Sequence, residues 1–449
     1  MTQSLIIHPR TLSRIAKRSA LLLVCALLLL VPQLRANEGA SDEAPTYAGP
    51  LDNSIDPPAA HDQPTMMPPP AVPDATVVEP GLHADIPEGE SNPNKPLAAT
   101  PEAESGKAVS LLGETVAPGI LSTLQWSPQD MFEGIPVHTP VLVANGAFAG
   151  PKLCMTGAVH GDEINSIETI RRVMFGLDPK HLSGTVIGVP IVNQMGFRRS
   201  SRYLPDRRDL NRFFPGSATG SSAARIAHSL FHEVILHCDA LIDLHTGSFY
   251  RTNIPQLRAD LKQPRVRELA DQFGNIVVLH SEGSPGMLRR EATLANIPTV
   301  TLEAGESLRI QEGVIKQGVK HINALLGNMK MIKRGFAWGN PQPAYMASRW
   351  LRAESGGIFI SRKKPGDKVG YGDKLGTITD PINNKETIVR AEFAGRILGM
   401  AMNQVVLPGY AIYHVGIDTS LVGNPLAAVV ESEADTEVGE QGGVPAMHE

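Results

Sequence analysis

Three short apolar segments of this chain each lead directly into a side chain that can bind a metal ion or move a proton. Segment 153–159 is followed by His160, segment 240–244 by His245, and segment 297–302 by Glu303. Short apolar runs of this kind are typical of buried β-strands, and the apolar spacing after the first run is helical. A chain that alternates buried strands with helices folds as an α/β protein with a largely buried sheet.

The same alternation continues along the chain. The sequence predicts strands at 152–159, 185–192, 240–245, 276–280 and 297–303, and helices from Glu163 and over 223–236. The second helix carries His228 and His232 one turn apart, but their order with Glu233 does not match the HExxH pattern of helical zinc sites. We therefore interpret these two histidines as surface residues.

His160 and Glu163 lie on the turn between the first strand and the first helix. Ligands of open α/β sheets bind at the carboxyl ends of strands, and an imidazole with a carboxylate suits a zinc ion. Because HxxE occurs often by chance, the interpretation depends on a third ligand, which His245 can supply. The resulting His, Glu, His set leaves the fourth coordination position for water. Taken singly, His245 could instead cap its strand, and Glu303 could form a structural salt bridge.

The charge of the chain indicates whether it binds nucleic acid, and its first residues indicate the cellular compartment. The chain has 41 Lys and Arg against 46 Asp and Glu, without a basic stripe interleaved with aromatic residues, so no nucleic-acid partner is expected. Basic residues precede the apolar run 20–31, which is shorter than the roughly 20 residues that a membrane span requires. We interpret residues 1–36 as a secretory signal peptide and expect an exported, periplasmic protein. Leu34, two residues before Ala36, is unfavourable for cleavage after Ala36. An uncleaved membrane anchor is therefore an alternative to a cleaved signal peptide.

Two cysteines, Cys154 and Cys238, lie outside the predicted signal peptide. Both stand in apolar stretches, where free cysteines behave as small buried hydrophobic residues. The sequence therefore predicts two buried thiols rather than a disulfide.

Five ordered motifs carry a family resemblance. They are GAVHGDE at 157–163, SRYLP at 201–205, DLNRFFPG at 209–216, DLHTG at 243–247 and TLEAG at 301–305. Over 152–307 the chain resembles the succinylglutamate desuccinylase/aspartoacylase family, a branch of the zinc carboxypeptidase superfamily, and the glycine-rich region after Glu354 is similar to the family's β-domain. The resemblance implies an α/β fold with a mixed, largely parallel sheet flanked by helices and a small C-terminal β-barrel or sandwich domain.

The resemblance also implies a metal centre and a general base. It assigns one zinc ion per chain to His160, Glu163 and His245, and the roles of general base and later proton donor to Glu303. The residue types suit these roles, because zinc lowers the pKa of bound water to about 7 and a nearby glutamate can carry the proton to the leaving amine.

Three further residues would contact the substrate. The resemblance implies that Arg202 polarises the scissile carbonyl and that Asn211 and Arg212 hold a substrate carboxylate, which an arginine fork binds bidentately. The spacing from Arg202 to Asn211 is longer than expected for the small-molecule deacylases, so Arg207 remains an alternative to Arg202. The arginine pair at 289–290 could read a second acidic group or could be solvated.

Asp162 and Asp243 stand close in sequence to the metal ligands. Outer carboxylates of zinc sites often orient ligand histidines, but each aspartate could equally satisfy backbone donors. In the C-terminal region, residues 400–403 offer no lysine for a prosthetic group. That region is therefore expected to cover or narrow the active-site cleft.

The predicted organisation has five parts. They are a signal peptide over 1–36, a disordered Pro-rich and acidic linker over 37–107, a zinc hydrolase domain over 108–335, a β-rich domain over 336–425 and an acidic disordered tail over 426–449. Low apolar content and many prolines explain the disorder expected of the linker.

The predicted function is that of an exported zinc-dependent amidohydrolase that cleaves an amide bond beside a free carboxylate. Export favours peptides and envelope fragments over cytoplasmic metabolites, so carboxypeptidase-like trimming of small peptides is preferred. Deacylation of N-acyl amino acids is the alternative, and a non-catalytic binder of carboxylate-bearing peptides is the alternative from another class. Membrane contact is expected only through an uncleaved N-terminal segment.

Overall fold

The computed structural model describes residues 104–128, 138–333, 343–402 and 404–418. The predicted signal peptide 1–36, nearly all of the predicted linker 37–107 and the predicted tail 426–449 lie outside the described residues.

The described residues contain nineteen β-strands. They are β1 (Val109–Leu111), β2 (Glu114–Val116), β3 (Ile120–Trp126), β4 (Thr139–Asn145), β5 (Phe148–Thr156), β6 (Ser183–Val189), β7 (Ala240–Gly247), β8 (Arg251–Ala259), β9 (Val277–His280), β10 (Thr299–Glu306), β11 (Ala344–Tyr345), β12 (Ser348–Arg352), β13 (Gly357–Ser361), β14 (Lys368–Val369), β15 (Lys374–Thr379), β16 (Glu386–Arg390), β17 (Gly395–Ala401), β18 (Val405–Val406) and β19 (Ala411–Ile417).

The same parts of the chain contain six α-helices and three short 3-10 helices. The α-helices are α1 (Ile164–Gly176), α2 (Gln194–Arg198), α3 (Ser222–Glu233), α4 (Pro264–Asp271), α5 (Leu288–Leu294) and α6 (Glu312–Asn328). The 3-10 helices are Pro179–His181, Leu210–Arg212 and Ile235–His237. Among the described residues, no helix has both the length and the apolar character needed to cross a membrane.

A large mixed sheet forms the centre of the fold. Its main path runs β12-β19-β17-β8-β10-β7-β5-β6-β4-β3, and β9, β11 and β14 pair beside this path. The central neighbours β6, β5, β7 and β10 are parallel. The strands on both sides of them pair antiparallel along the path. The mixed sheet flanked by helices that the family resemblance implied is confirmed. It is parallel at its centre, whereas most pairings along its main path are antiparallel.

Parallel pairing brings the carboxyl ends of β5, β7 and β10 to the same edge of the sheet. Glu303 of β10 lies opposite His245 of β7, and Thr156, the last residue of β5, lies opposite Asp243. The segments that lead into His160, His245 and Glu303 therefore end side by side.

Successive side chains of a strand alternate between the two faces of the sheet. Helices cover both faces and bury the apolar side chains on each. In β5, Leu153 and Met155 belong to the core formed with α1, α4 and α6, whereas Cys154 belongs to the core formed with α3 and α5. Burying one Leu or Met side chain stabilises the fold by about 1.5–3 kcal/mol. Two covered faces explain why these strands read as continuous apolar runs in the sequence.

The C-terminal strands take part in two sheets. Strands β13, β15, β16 and β18 form a four-stranded sheet of their own. Strand β17 instead joins the large sheet, with Gly399 opposite Asn253 of β8. The C-terminal region therefore continues the sheet on whose edge the three segments meet.

Cys154 and Cys238 form a disulfide, so the sequence-based prediction of two free thiols is wrong. Cys154 lies on β5, and Cys238 comes just before β7. Because these strands are parallel neighbours, the Cα atoms of the two cysteines lie 5.9 Å apart, a normal separation for a disulfide. Their sequence separation of 84 residues hid this proximity.

Candidate active site

The turn after β5 delivers both His160 and Glu163. Strand β5 ends at Thr156, and α1 begins directly after Glu163, which is its N-cap residue. Gly161 within the turn packs against α2, where an added Cβ would come within 2.1 Å of backbone atoms of Gly196 and Phe197. A side chain at this position would push the turn away from α2, so the close approach requires glycine.

Three possible ligand atoms converge at this turn. Nδ1 of His160 lies 2.9 Å from Oε1 of Glu163, and Nδ1 of His245 lies 2.8 Å from Oε2 of the same carboxylate. The two Nδ1 atoms lie 3.2 Å apart. Ligands about 2.0–2.2 Å from a tetrahedral zinc ion are separated from one another by about 3.3 Å. The donor set therefore fits one shared cation, and all three side chains are buried.

The second nitrogen of each imidazole contacts a carboxylate. Nε2 of His245 lies 2.7 Å from Oδ2 of Asp243, and Nε2 of His160 lies 3.1 Å from Oδ1 of Asp209. Asp243 is fixed in turn by Thr156, whose hydroxyl donates to Oδ1 at 2.7 Å. A proton on each Nε2 leaves both Nδ1 atoms free to bind a metal, as in histidine zinc sites backed by carboxylates.

The buried carboxylates make this centre attractive to positive charge. Burial and the charge of Arg202 lower the pKa of His160, but Glu163 and Asp209 outweigh both and leave it raised. Burial also lowers the pKa of His245, yet Asp243 and Glu163 raise it well above its ordinary value. For Glu163, the two histidine charges outweigh burial and hold the pKa well below its ordinary value. Carboxylates that favour protonated imidazoles equally favour a divalent cation in place of those protons.

Asp162 differs from Asp243 in its surroundings. Its side chain is nearly buried, and Oδ1 has no hydrogen-bond partner among the described residues. Burial and the charge of Glu163 raise its pKa. Among the described residues, the carboxylate of Asp162 makes no hydrogen bond to a possible metal ligand, whereas the carboxylate of Asp243 bonds His245.

Glu303 lies on β10, the strand next to His245. Its Oε2 accepts a hydrogen bond from Nδ2 of Asn253 at 3.0 Å, and its Oε1 lies 3.5 Å from Nε of Arg258. Both partners belong to β8, the antiparallel neighbour of β10. The carboxylate lines the same pocket as the three possible metal ligands, so it can exchange a proton with a molecule bound there.

Arg202 reaches the metal-ligand residues, whereas Arg207 is exposed to solvent. Nη1 of Arg202 lies 3.2 Å from Nδ1 of His160 and donates to Oγ of Ser248, and Nη2 donates to Oδ2 of Asp209 at 2.9 Å. Ser248 also donates to Oε1 of Glu163 at 3.1 Å. The structure thus brings Arg202, not its alternative, beside the centre.

Asn211 and Arg212 lie on the 3-10 helix that follows Asp209. Oδ1 of Asn211 accepts a hydrogen bond from the backbone N–H of Leu288 at 2.8 Å. This bond fixes which end of the amide is oxygen and leaves Nδ2 as its donor end. Arg212 lines the pocket together with Asn211, so both can meet an acidic group bound beside the metal ligands.

The pocket has more arginines than carboxylates. Its lining residues include Arg202, Arg212, Arg251, Arg258 and Arg289, against the carboxylates of Glu163 and Glu303. The sequence alone leaves the role of the arginine pair at 289–290 open. Arg289 is buried and donates to Ser281, whereas Arg290 donates to the carbonyl of Gly283 and does not line the pocket.

The C-terminal strands contribute to this pocket. Trp350 of β12 lines it, and Cζ of Arg251 lies 5.0 Å from the Trp350 ring and 5.3 Å from the Tyr410 ring. Cation–π contacts of this kind hold an arginine in a fixed position. The expectation that the C-terminal region narrows the cleft agrees with this arrangement.

Asp209 and Asn253 are among the residues of the site that were not assigned from the sequence. Asp209 contacts both His160 and Arg202, and its position at the start of the DLNR segment was a signal that could have identified it. Asn253 donates a hydrogen bond to Glu303 and lies on β8, a polar segment that contains none of the five family motifs. Its role becomes visible only through the pairing of β8 with β10.

Comparison with known protein families agrees with this geometry. Residues 149–328 match the model of the succinylglutamate desuccinylase/aspartoacylase catalytic domain. Over these residues the chain is similar to the catalytic domain of that family. The family resemblance predicted from the five motifs is therefore confirmed.

A curated relative that matches part of the chain is the N-alpha-acetyl-L-2,4-diaminobutyric acid deacetylase of Halomonas elongata. It is 32% identical over 144 residues, which make up 31% of this chain and 42% of the relative. The chain thus spans less than half the length of the curated relative that it matches.

Solved structures share the fold of the succinylglutamate desuccinylase/aspartoacylase family. A succinylglutamate desuccinylase from Silicibacter sp. TM1040 is 22% identical with a TM-score of 0.58, covering 66% of this chain and 94% of its own. A succinylglutamate desuccinylase/aspartoacylase from Rhodobacter sphaeroides is 23% identical with a TM-score of 0.60, covering 66% and 96%. A product-bound ectoine utilization protein from Ruegeria pomeroyi is 22% identical with a TM-score of 0.59, covering 66% and 95%. At these identities the likeness concerns the fold alone.

The family match and the pocket do not have the same extent. The match ends at residue 328, whereas Trp350 of the pocket lies beyond it. The possible metal ligands and Glu303 thus fall inside the matched residues, and part of the pocket wall comes from the strands that follow.

Proposed function

We propose that this protein is an exported zinc-dependent amidohydrolase that removes the acyl group from N-acyl amino acids with free carboxylates. The observation that carries the proposal is the convergence of His160, Glu163, His245 and Glu303 in one arginine-lined pocket. The family match supports hydrolysis of an amide bond, and the curated relative is a deacetylase. We therefore rank deacylation above the carboxypeptidase-like trimming that the sequence analysis preferred.

The metal centre and Glu303 share the hydrolytic chemistry. His160, Glu163 and His245 would hold the zinc ion, which would supply Lewis acidity and lower the pKa of the attacking water to about 7. Glu303 accepts a proton from the attacking water and returns it to the leaving amine nitrogen. The position of Glu303 opposite His245 on neighbouring strands supports this role, because it keeps the carboxylate beside the metal ligands.

The other site residues bind the substrate. Arg202, held by Ser248 and Asp209, donates to the carbonyl oxygen as negative charge develops there. Because this charge is largest in the transition state, loss of Arg202 lowers kcat more than it raises KM. Asn211 and Arg212 bind a carboxylate of the amino acid, which orients the amide bond in the pocket.

The charge of the pocket supports substrates with more than one carboxylate. Arg251, Arg258 and Arg289 line it in addition to the two arginines assigned above. Placing like charges together costs several kcal/mol. We expect kcat/KM for N-acetyl-L-aspartate or N-succinyl-L-glutamate to exceed that for N-acetyl-L-2,4-diaminobutyrate, whose free amine is cationic, by about tenfold or more.

Export rests on two observations of different kinds. The first residues have the basic and apolar regions of a signal peptide, and Cys154 and Cys238 form a disulfide. Structural disulfides persist in oxidising compartments such as the periplasm and are rare in the cytosol. Labelling of free thiols in the protein isolated from its native cells tests the proposal. Two free thiols at these positions in the native protein would contradict it.

The activity is tested with purified protein and a panel of N-acyl amino acids, acidic dipeptides and γ-glutamyl peptides. We expect release of a free amine from the N-acyl acidic amino acids and about one zinc per chain by elemental analysis. Glu303→Gln should retain zinc and reduce kcat by about 10²–10⁴-fold. Glu306→Gln is a matched control, because Glu306 is buried on the same strand but does not line the pocket.

The alternatives give different results. Turnover of dipeptides without turnover of N-acyl amino acids would support peptide trimming instead. Ligand binding without turnover by the wild type at any metal loading would support the non-catalytic binder. Full zinc content in both His160→Ala and His245→Ala would reject the metal centre.

A further inference from the structure

We propose that Asn253 is a positioning residue for Glu303 and that the C-terminal strand β17 keeps Asn253 in place through Gly399. The inference rests on the proposed role of Glu303 as general base. It assigns to strands beyond the matched catalytic domain a part in aligning that base.

Asn253 contacts Glu303 from the neighbouring strand. Nδ2 donates to Oε2 of Glu303 at 3.0 Å, while Nε of Arg258 lies 3.5 Å from Oε1. The amide and the guanidinium therefore act on different oxygens of the same carboxylate. A hydrogen bond on Oε2 limits rotation of the carboxylate toward Arg258, and a general base must keep its orientation through two proton transfers.

The orientation of the Asn253 amide is determined by its surroundings. The residue is 6% exposed, and its Oδ1 has no hydrogen-bond partner among the described residues. Turning the amide over would place this oxygen against the carboxylate of Glu303 and remove the donor. Hydrogen bonding therefore fixes Asn253 at the Nδ2 end, and the Oδ1 end is held by packing.

Gly399 provides the packing surface for Oδ1. Gly399 lies opposite Asn253 in the antiparallel pairing of β17 with β8. A Cβ added at Gly399 would lie 2.3 Å from Oδ1 of Asn253 and 3.0 Å from the carbonyl oxygen of Thr252. A contact of 2.3 Å is too close for van der Waals packing, so a side chain at 399 must displace the Asn253 amide.

The first test removes the hydrogen-bond donor. Asn253→Leu keeps the side-chain volume without the amide, and we expect kcat on the best substrate of the panel to fall about 10- to 100-fold. KM should change by less than about threefold, because substrate carboxylates are bound elsewhere in the pocket. Zinc content should stay at the wild-type level, because Asn253 does not contact the metal ligands in the structure.

The second test uses coupling between the two strands. Gly399→Ala should lower kcat by displacing Asn253, but the same change in an Asn253→Ala background should lower kcat no further, since Oδ1 is absent there. Gly416→Ala is the matched control. It crowds Tyr345 and Leu398 within the same sheet without contacting Asn253, so it should lower the melting temperature and leave kcat unchanged.

Crystal structures of the wild type, Asn253→Leu and Gly399→Ala give a readout that does not depend on turnover. The inference expects the Glu303 carboxylate to rotate in both variants. An unmoved carboxylate together with unchanged kcat, or additive effects of the two substitutions, would overturn it. If Glu303→Gln retains activity, the proposed function fails first. If Glu303→Gln is inactive while both variants keep wild-type kcat, only the positioning role fails.

Discussion

At the scale of single residues, Asp209 connects the possible metal ligand His160 to Arg202, the proposed carbonyl-binding residue. One carboxylate oxygen contacts Nε2 of His160, and the other accepts from Nη2 of Arg202. The backbone N–H of Asn211 also donates to Oδ1 of Asp209 at 2.9 Å. The charges of His160 and Arg202 outweigh burial and hold the pKa of Asp209 well below its ordinary value, so the side chain is ionised.

Replacing this carboxylate should weaken the metal centre. Asp209→Asn keeps the shape but loses the charge that favours the required imidazole tautomer, and we expect zinc affinity to fall about 10- to 100-fold. Competition with a chelating dye measures the affinity, and kcat at saturating zinc reports the effect on Arg202. Asp206→Asn serves as control, because Asp206 is exposed and pairs with Arg208. Equal zinc affinity in Asp209→Asn and the wild type would contradict the role.

The sequence predicted the residues that follow apolar runs, but it did not single out Asp209 and Asn253, which contact them. His160, His245 and Glu303 each follow an apolar run, so the strand pattern itself marked their position. Asp209 and Asn253 contact partners 49 and 50 residues away in the chain. Such contacts depend on the order of strands and loops in space, which local periodicity does not encode.

At the scale of elements, β8 explains why the sheet was only partly predicted. The strand Arg251–Ala259 contains Pro255 and several polar residues, so its sequence does not read as a buried strand. Asn253 and Arg258 are polar because they face the pocket. A strand that lines an active site loses the apolar alternation by which strands are recognised, and tertiary pairing with β10 and β17 decides its structure.

An ion-pair network joins α1 to α6 at the surface. Arg172 of α1 bonds Glu168 of the same helix and Glu312 of α6. Hydrogen bonds from Arg171 and Arg172 lower the pKa of Glu168 to about 2, and those from Arg172 and Lys316 lower the pKa of Glu312 to about 2. Both shifts favour the ionised carboxyls in the folded state.

This network should give a small, acid-sensitive contribution to stability. Because the folded-state pKa values lie below the unfolded value of 4.5, the contribution is complete above that pH and is lost as pH falls toward 2. Arg172→Gln should lower the melting temperature by about 1–2 °C at pH 7 and by less at each lower pH. Arg171→Gln, which affects α1 alone, should have a smaller effect. A difference that grows on acidification would contradict the assignment.

At the scale of the whole molecule, chain segments distant in sequence build one pocket. The possible metal ligands come from 160–163 and 245, the proposed general base comes from β10, and Trp350 comes from beyond the matched domain. The five motifs predicted the first two contributions. For the C-terminal region the sequence predicted only that it covers or narrows the cleft. No motif there indicates that Trp350 is the residue that reaches the pocket.

The disulfide between Cys154 and Cys238 should contribute mainly to global stability. It closes a loop across a sequence separation of 84 residues, so removing it should increase the entropy of the unfolded chain and destabilise the protein by about 2–5 kcal/mol. Denaturant unfolding of Cys154→Ala/Cys238→Ala, compared with the wild type with and without reductant, measures this difference. Reduced wild type and double variant should unfold at similar denaturant concentrations, both lower than the oxidised wild type.

The same variant separates stability from catalysis. The disulfide links β5 to the short connection that precedes β7, and the two strands also pair by their own backbone hydrogen bonds from Leu153 to Thr156. This pairing holds the carboxyl ends that carry His160 and His245 in register without the covalent link. We therefore expect kcat and zinc content at 25 °C to equal those of the wild type. A loss of zinc in the folded double variant would mean that the disulfide, rather than strand pairing, sets the distance between the two histidines.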